Sequence, residues 1–116
     1  MSAKKLVLII EDEPAITRIL SRKLNKLGYE TKSSSSLKGA QELLDSEEPS
    51  AIFLDYVLED GRSSDLASLG HLKSKHKIFL MSAFMDDLEK EDFSTLNVTF
   101  LKKPFENLDE ILDSIE

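Results

Sequence analysis

Four short apolar runs set the strongest constraint on how this chain folds: Leu6-Val7-Leu8-Ile9-Ile10, Ala51-Ile52-Phe53-Leu54, Ile78-Phe79-Leu80-Met81 and Val98-Thr99-Phe100-Leu101. A strand with one wet face alternates apolar and polar residues. An unbroken run needs cover on both faces, as in a parallel sheet flanked by helices. Tyr29 to Lys32 is a weaker, polar strand that belongs at an edge. Between the strands, Ile16, Ile19, Leu20, Leu24 and Leu27 fall on one helical face, with Gly28 as its stop. Leu37, Ala40, Leu43 and Leu44 make a second helix, closed before Pro49. Leu66, Leu69 and Leu72 give a third, weakened by Gly70, and Leu108, Ile111, Leu112 and Ile115 a clear last one. Met85 to Leu96 reads as helical but poorly patterned. Strand and helix thus alternate five times, and right-handed crossovers lead to a doubly wound α/β sheet with five helices. With the polar strand at one edge, the order 2-1-3-4-5 is expected by analogy with known sheets of this kind.

The chain has 116 residues, a length suited to one domain over 1–116 that buries roughly two-thirds of its unfolded surface. The net charge of −7 argues against a nucleic-acid surface, which needs a basic face. No apolar run approaches the roughly 20 residues that cross a bilayer, so no membrane insertion is expected. The sequence has no cysteine, which removes disulfides and thiolate metal sites and suits a reducing cytoplasm. Asn97-Val98-Thr99 matches a glycosylation sequon, read as chance without a secretion signal. Ser33 to Ser36 reads as a loop that caps the next helix.

In a doubly wound sheet, ligands bind outside the carboxyl ends of the strands, near the point where the strand order reverses. The first strand ends in Glu11-Asp12, followed by Glu13-Pro14, and the strand 51–54 runs into Asp55. The strand 78–81 ends in Ser82, and the strand 98–101 in Lys102-Lys103 before Pro104. Carboxylates crowded at one edge repel, more so when partly buried, and require compensation. A divalent cation supplies it: Mg2+ takes oxygen ligands and keeps several waters, so one or two carboxylates and a backbone carbonyl suffice. The plainer reading, that Asp12 or Glu13 caps the helix starting at Pro14, suits Glu13 but leaves Glu11 and Asp55 unexplained. Beside a metal, Asp55 is a candidate nucleophile toward phosphorus, and Ser82 and Lys103 could meet the remaining phosphoryl oxygens. His71 and His76 read as surface residues. Nucleotide-binding glycine motifs are absent.

These residues resemble the receiver domain of bacterial response regulators over nearly the whole chain. The match is carried by "LVLIIEDEP", "IFLDYVLEDG", "FLMSA" and "FLKKPF" in that order. The resemblance implies a flavodoxin-like fold and a phosphorelay function. Asp55 would be the phosphoryl acceptor. Asp12 would bind Mg2+ directly, Glu11 would assist through water, and the Val57 backbone carbonyl would complete the protein's ligands. Ser82 would be the switch hydroxyl, Phe100 the switch aromatic and Lys103 the phosphoryl-binding lysine, with Lys103-Pro104 cis. The donor would be a histidine kinase or phosphotransfer protein. Output would pass to an unidentified protein or domain through the face made by 85–96, the strand 98–101 and the last helix, with a phosphorylation-dependent dimer as one form it could take. The chain would assist its own phosphorylation and dephosphorylation without being a turnover enzyme.

Some positions depart from the family pattern. Glu11 replaces the commoner aspartate, Glu59 stands where proline is usual and Ser63 where glycine is, so the loop after Asp55 is expected to be more mobile or differently folded. Leu96-Asn97 replaces Gly-Ala, and Phe100 lacks the tyrosine hydroxyl. Val57 and Phe84 occupy the positions that flank an attacking water, and neither can orient one, which implies slow loss of the phosphoryl group. Two other classes compete. A phosphatase with an aspartyl-phosphate intermediate would need an acid/base aspartate where Val57 stands. A receiver-shaped module that is never phosphorylated would have no use for the set Glu11, Asp12, Asp55, Ser82 and Lys103.

Overall fold

The unbroken apolar runs become the centre of a parallel sheet. The computed structural model describes residues 5–68, 70–73, 75–83, 93, 96–105, 108–113 and 115. Its elements are β1 (Leu6–Ile10), α1 (Pro14–Lys26), β2 (Glu30–Ser34), α2 (Leu37–Ser46), β3 (Ala51–Asp55), β4 (Val57–Leu58), β5 (Gly61–Arg62), α3 (Ser64–Ser68), β6 (Lys77–Ser82), β7 (Asn97–Lys102) and α4 (Leu108–Asp113). Five strands form one sheet in the order β2-β1-β3-β6-β7, the expected 2-1-3-4-5 when these strands alone are numbered. All four pairings are parallel. Among the described residues there are four helices; the helix expected over Met85 to Leu96 lies mostly outside them.

Alternate residues of each run feed opposite faces. Leu8, Ile10, Ile52, Leu54, Ile78 and Leu80 pack with Leu37, Ala40, Leu66 and Leu72. Val7, Ile9, Phe53, Phe79 and Met81 pack with Leu20, Leu24, Leu112 and Ile115. Phe53 and Phe79 are register partners, and their rings stack with centroids 4.7 Å apart and planes 13° from parallel, adding an aromatic contact to their area burial. The edge strands are β2, with the polar sequence ETKSS, and β7, where exposed Asn97 and Thr99 alternate with half-buried Val98 and Phe100. In α1 only Leu20 and Leu24 are fully buried, while Ile19 and Leu27, read as part of the apolar face, are each 49% exposed. The helix ends as its glycine implied. Gly28 has φ +97°, its N–H donates to the Asn25 carbonyl at 3.1 Å, and the Tyr29 N–H reaches the Leu24 carbonyl at 3.0 Å, a Schellman closure.

Three expectations need correction. The Leu66, Leu69, Leu72 spacing does not mark one helix: α3 stops at Ser68, and Leu72 is buried by a chain that turns at Gly70, φ +78°, while Leu69 lies outside the described residues. The serine loop is partly strand: Ser33 and Ser34 belong to β2, and of these serines it is Ser36 that caps α2, accepting the Gly39 N–H at 3.1 Å. The segment after Asp55 is an antiparallel hairpin, pairing Val57 with Arg62 and Leu58 with Gly61. From its turn the Asp60 carboxylate accepts the Leu37 and Lys38 N–H groups at 2.8 and 3.2 Å, which holds its pKa below the usual carboxylate value and caps α2 from outside its own sequence. Gly61 has φ +145°, and a Cβ there would lie 2.8 Å from Leu37 Cδ1, so the hairpin rests on that helix end.

The third correction is that neither histidine is plainly on the surface. His71 is half-buried with Nδ1 3.8 Å from Asp45. His76 is buried, and its Nδ1 accepts the Lys73 N–H at 3.2 Å. Burial, helped by the Lys75 charge, lowers the His76 pKa. The folded chain therefore holds the imidazole neutral longer than the unfolded chain does. That stability is present above the unfolded value of about 6.5 and is lost as pH falls below it. We expect the difference in melting temperature between the parent and His76→Gln to shrink as pH is lowered from about 7.5 to about 5.5. A difference that stays constant over that range would refute the assignment.

Candidate functional site

The register of the sheet puts the strand-end residues side by side. Ile10 pairs with Leu54, so Glu11 and Asp12 leave β1 next to Asp55, the last residue of β3. Asp55 pairs with Met81, so Ser82, which closes β6, lies one residue further along the neighbouring strand. Ser82 pairs with Lys102, and the Lys103 N–H donates to the Ser82 carbonyl at 2.8 Å. Carboxylate oxygens of Glu11, Asp12 and Asp55 lie within 4.8 Å of one another. Glu11 and Asp55 are buried and Asp12 is exposed, so the cluster has a wall and a mouth.

Lys103 enters this cluster from the far strand. Its Nζ lies 2.7 Å from Glu11 Oε1, 3.2 Å from Asp55 Oδ2 and 3.9 Å from Glu13 Oε1. Part of the charge compensation that the acidic cluster demands is thus an ammonium, a partner the sequence reading had placed only on the phosphoryl oxygens. Burial lowers the Lys103 pKa, but Glu11 and Asp55 outweigh it and the pKa ends above the usual lysine value. Burial pushes the Glu11 carboxyl up to about 8, aided by the neighbouring Asp55 carboxylate and resisted by Lys103. Glu11 Oε2 is buried without a hydrogen-bond partner. A buried carboxylate oxygen left unpaired in an acidic cluster fits a cationic ligand.

The remaining candidates are placed as follows. Ser82 is buried beside the cluster. Phe100 lies within β7, half-buried against the α2 and α3 side of the sheet and set back from the strand end. Val57 is 55% exposed on the hairpin, and Phe84 lies outside the described residues. The Lys103-Pro104 bond is cis, as the resemblance implied. Ser63 was noticed only as a departure from the pattern. It is fully buried, and its hydroxyl donates to the Asp55 carbonyl. The signal was present: a serine where glycine is usual adds a hydroxyl that must bond something when buried.

The model of the response regulator receiver domain family matches residues 7–116. The chain belongs to that family. Among solved structures, a CheY-like receiver domain from Methylobacillus flagellatus is 27% identical with a TM-score of 0.80, the match covering 98% of this chain and 100% of that one. A Thermotoga maritima response regulator in complex with Mg2+ and BeF is 23% identical with a TM-score of 0.79, over 97% of this chain and 99% of that one. The receiver domain of a Pseudomonas aeruginosa sensor histidine kinase, with magnesium coordinated in its active-site cleft, is 21% identical with a TM-score of 0.77, over 96% of each chain. The receiver therefore has the CheY-like flavodoxin fold, and Glu11, Asp12 and Asp55 form a group that could hold a metal ion. Among the described residues no helix is long and apolar enough to cross a membrane.

Metal binding should be visible as stability. Relief of carboxylate repulsion by about 10 mM Mg2+ should raise the melting temperature of the receiver by roughly 4–8 °C for a Kd near 1 mM. Asp12→Ala should remove most of that rise. An unchanged melting temperature in the parent would mean that the cluster is no metal site of useful affinity.

Proposed function

We propose that this receiver accepts a phosphoryl group on Asp55 from a phosphohistidine of a histidine kinase or phosphotransfer protein. The observation that carries the reading is the Asp55 carboxylate 3.2 Å from the Lys103 ammonium, in a cluster whose Glu11, Asp12 and Asp55 oxygens lie within 4.8 Å. Asp12, Asp55 and Glu11, with the Val57 carbonyl, would hold Mg2+, in keeping with the magnesium in the Thermotoga and Pseudomonas relatives. When bound, the ion supplies positive charge against the phosphoryl oxygens and lowers the repulsion between them and the carboxylates.

The step needs little beyond positioning. An Asp55 carboxylate oxygen forms the new O–P bond as the P–N bond to the donor ring breaks. The bond pair stays on that nitrogen, and the donor leaves as neutral imidazole with its proton on the other ring nitrogen. Lys103 meets a developing phosphoryl charge with an ammonium already desolvated on one side, and the Ser82 hydroxyl serves as a second donor. Output would pass through the face made by residues 85–96, β7 and α4, with Phe100 as a packing switch. The unit proposed is a single cytoplasmic receiver over residues 1–116. It aids its own labelling and hydrolysis without turning over a substrate. Its output partner would be a protein or domain, or a second copy joined on phosphorylation.

Intact-mass analysis with Mg2+ and acetyl phosphate tests this directly. One phosphoryl group should add to the parent, only with a divalent metal, and none to Asp55→Asn. Full labelling of Asp55→Asn would overturn the assignment, and an unlabelled parent would favour a phosphorylation-independent module.

The exposed, apolar Val57 bears on lifetime. It offers an incoming water no hydrogen bond, so the phosphorylated receiver should decay slowly. Val57→Asn should accelerate the decay at least severalfold. Loss of the label within seconds in the parent, or no acceleration in the variant, would remove Val57 from control of the lifetime.

A further inference from the structure

We propose that Ser63 is a positioning residue for Asp55: its hydroxyl fixes the Asp55–Tyr56 peptide and thereby the direction of the acceptor carboxylate. The proposal rests on the reading of Asp55 as phosphoryl acceptor and metal ligand. Both polar atoms of that peptide are tied. Its carbonyl accepts the Ser63 hydroxyl, and its N–H donates to the Met81 carbonyl at 2.9 Å. One bond holds the plane to β6 and the other to the start of α3. The Asp55 Cα lies at the edge of that plane, so the plane's tilt sets where the side chain projects from the strand end.

Ser63 also closes the loop on its other side, where its N–H donates to the Tyr56 carbonyl at 2.8 Å. Any residue except proline could supply that N–H. The hydroxyl bond needs the side chain. Ser63 and Asp55 are 0% and 7% exposed, so water is a poor substitute for the lost donor. The simpler reading is a buried serine that satisfies itself on the nearest carbonyl, with no consequence for the site. The hairpin offers a way to tell the two apart. Asp60 anchors its turn to α2 without touching the Asp55 peptide, so its loss loosens the loop and leaves the clamp.

The test compares the parent, Ser63→Ala and Asp60→Ala in three measurements: melting temperature, Mg2+ Kd by calorimetry without phosphodonor, and the rate of labelling at saturating Mg2+ and acetyl phosphate well below every melting temperature. Ser63→Ala should raise the Mg2+ Kd about tenfold, as losses of groups that orient a metal ligand do, and slow labelling about tenfold through misdirection of the nucleophile. Asp60→Ala should lower the melting temperature yet stay within about twofold of the parent in Kd and rate. If Ser63→Ala does not fold, Ser63→Cys, close in shape with a weaker donor, carries the comparison. A serine variant within about threefold of the parent in either Kd or rate overturns the proposal. So does Asp60→Ala impairing both as severely, since general loop rigidity would then be the cause. A parent that binds Mg2+ and labels while the serine variant matches it sinks the positioning role alone; a parent that does neither sinks the acceptor reading, and the positioning role with it.

Discussion

The ammonium of Lys103 between Glu11 and Asp55 is the interaction on which the site depends. Oxygens of three carboxylates lie within 4.8 Å. Like charges at that separation repel by about 3–4 kcal/mol per pair at an effective dielectric constant of about 20. The sheet leaves them no room to part, because β1 and β3 are locked in register by the apolar residues behind them. Lys103 answers at 2.7 and 3.2 Å from a strand separated from β3 by β6. The paired core strands hold the acids together, and the edge strand brings the base.

The hairpin between Asp55 and α3 supports that arrangement without belonging to the core. It is fastened at its base by Ser63 on the Asp55 and Tyr56 carbonyls and at its turn by Asp60 on the first N–H groups of α2. Family members usually have proline at position 59 and glycine at 63. This chain has Glu59 and Ser63 instead, and the serine replaces a small residue with a side-chain hydrogen bond. The loop is tied down on both sides.

What could be read from the sequence followed from burial on two faces. The runs LVLII, AIFL and IFLM have no polar alternation, so they announce a covered parallel sheet, and the residues after them fall at one edge. That placed Glu11, Asp12, Asp55, Ser82 and Lys103 together before any coordinates. The features that stayed hidden have no local period. Two-residue strands such as Val57–Leu58 carry no pattern, and Leu72 kept helical spacing while the chain turned at Gly70. His76 is buried in a stretch with no period to announce it. The Glu11–Lys103 pair spans 92 positions, so no window along the chain could show it.

The glutamate at position 11 becomes intelligible in this light. With an aspartate the carboxylate would sit about 1.5 Å, one carbon, closer to β1. The longer arm lets Oε1 meet Lys103 at 2.7 Å while Oε2 stays buried and unpaired. One oxygen is thus committed to the lysine and the other remains free for a cation. Fully ionised, three carboxylates and one ammonium leave two negative charges, which one divalent ion would neutralise. On the function proposed above, transfer of a phosphoryl group onto Asp55 would then replace one carboxylate charge with about two. The Lys103 ammonium is the group already at hand to meet the extra charge, provided that Glu11 lets it turn toward the phosphorus. On that reading Glu11 would act on both sides of the balance: it holds the lysine in the cluster at 2.7 Å, and it would compete for the lysine once the phosphoryl group arrived.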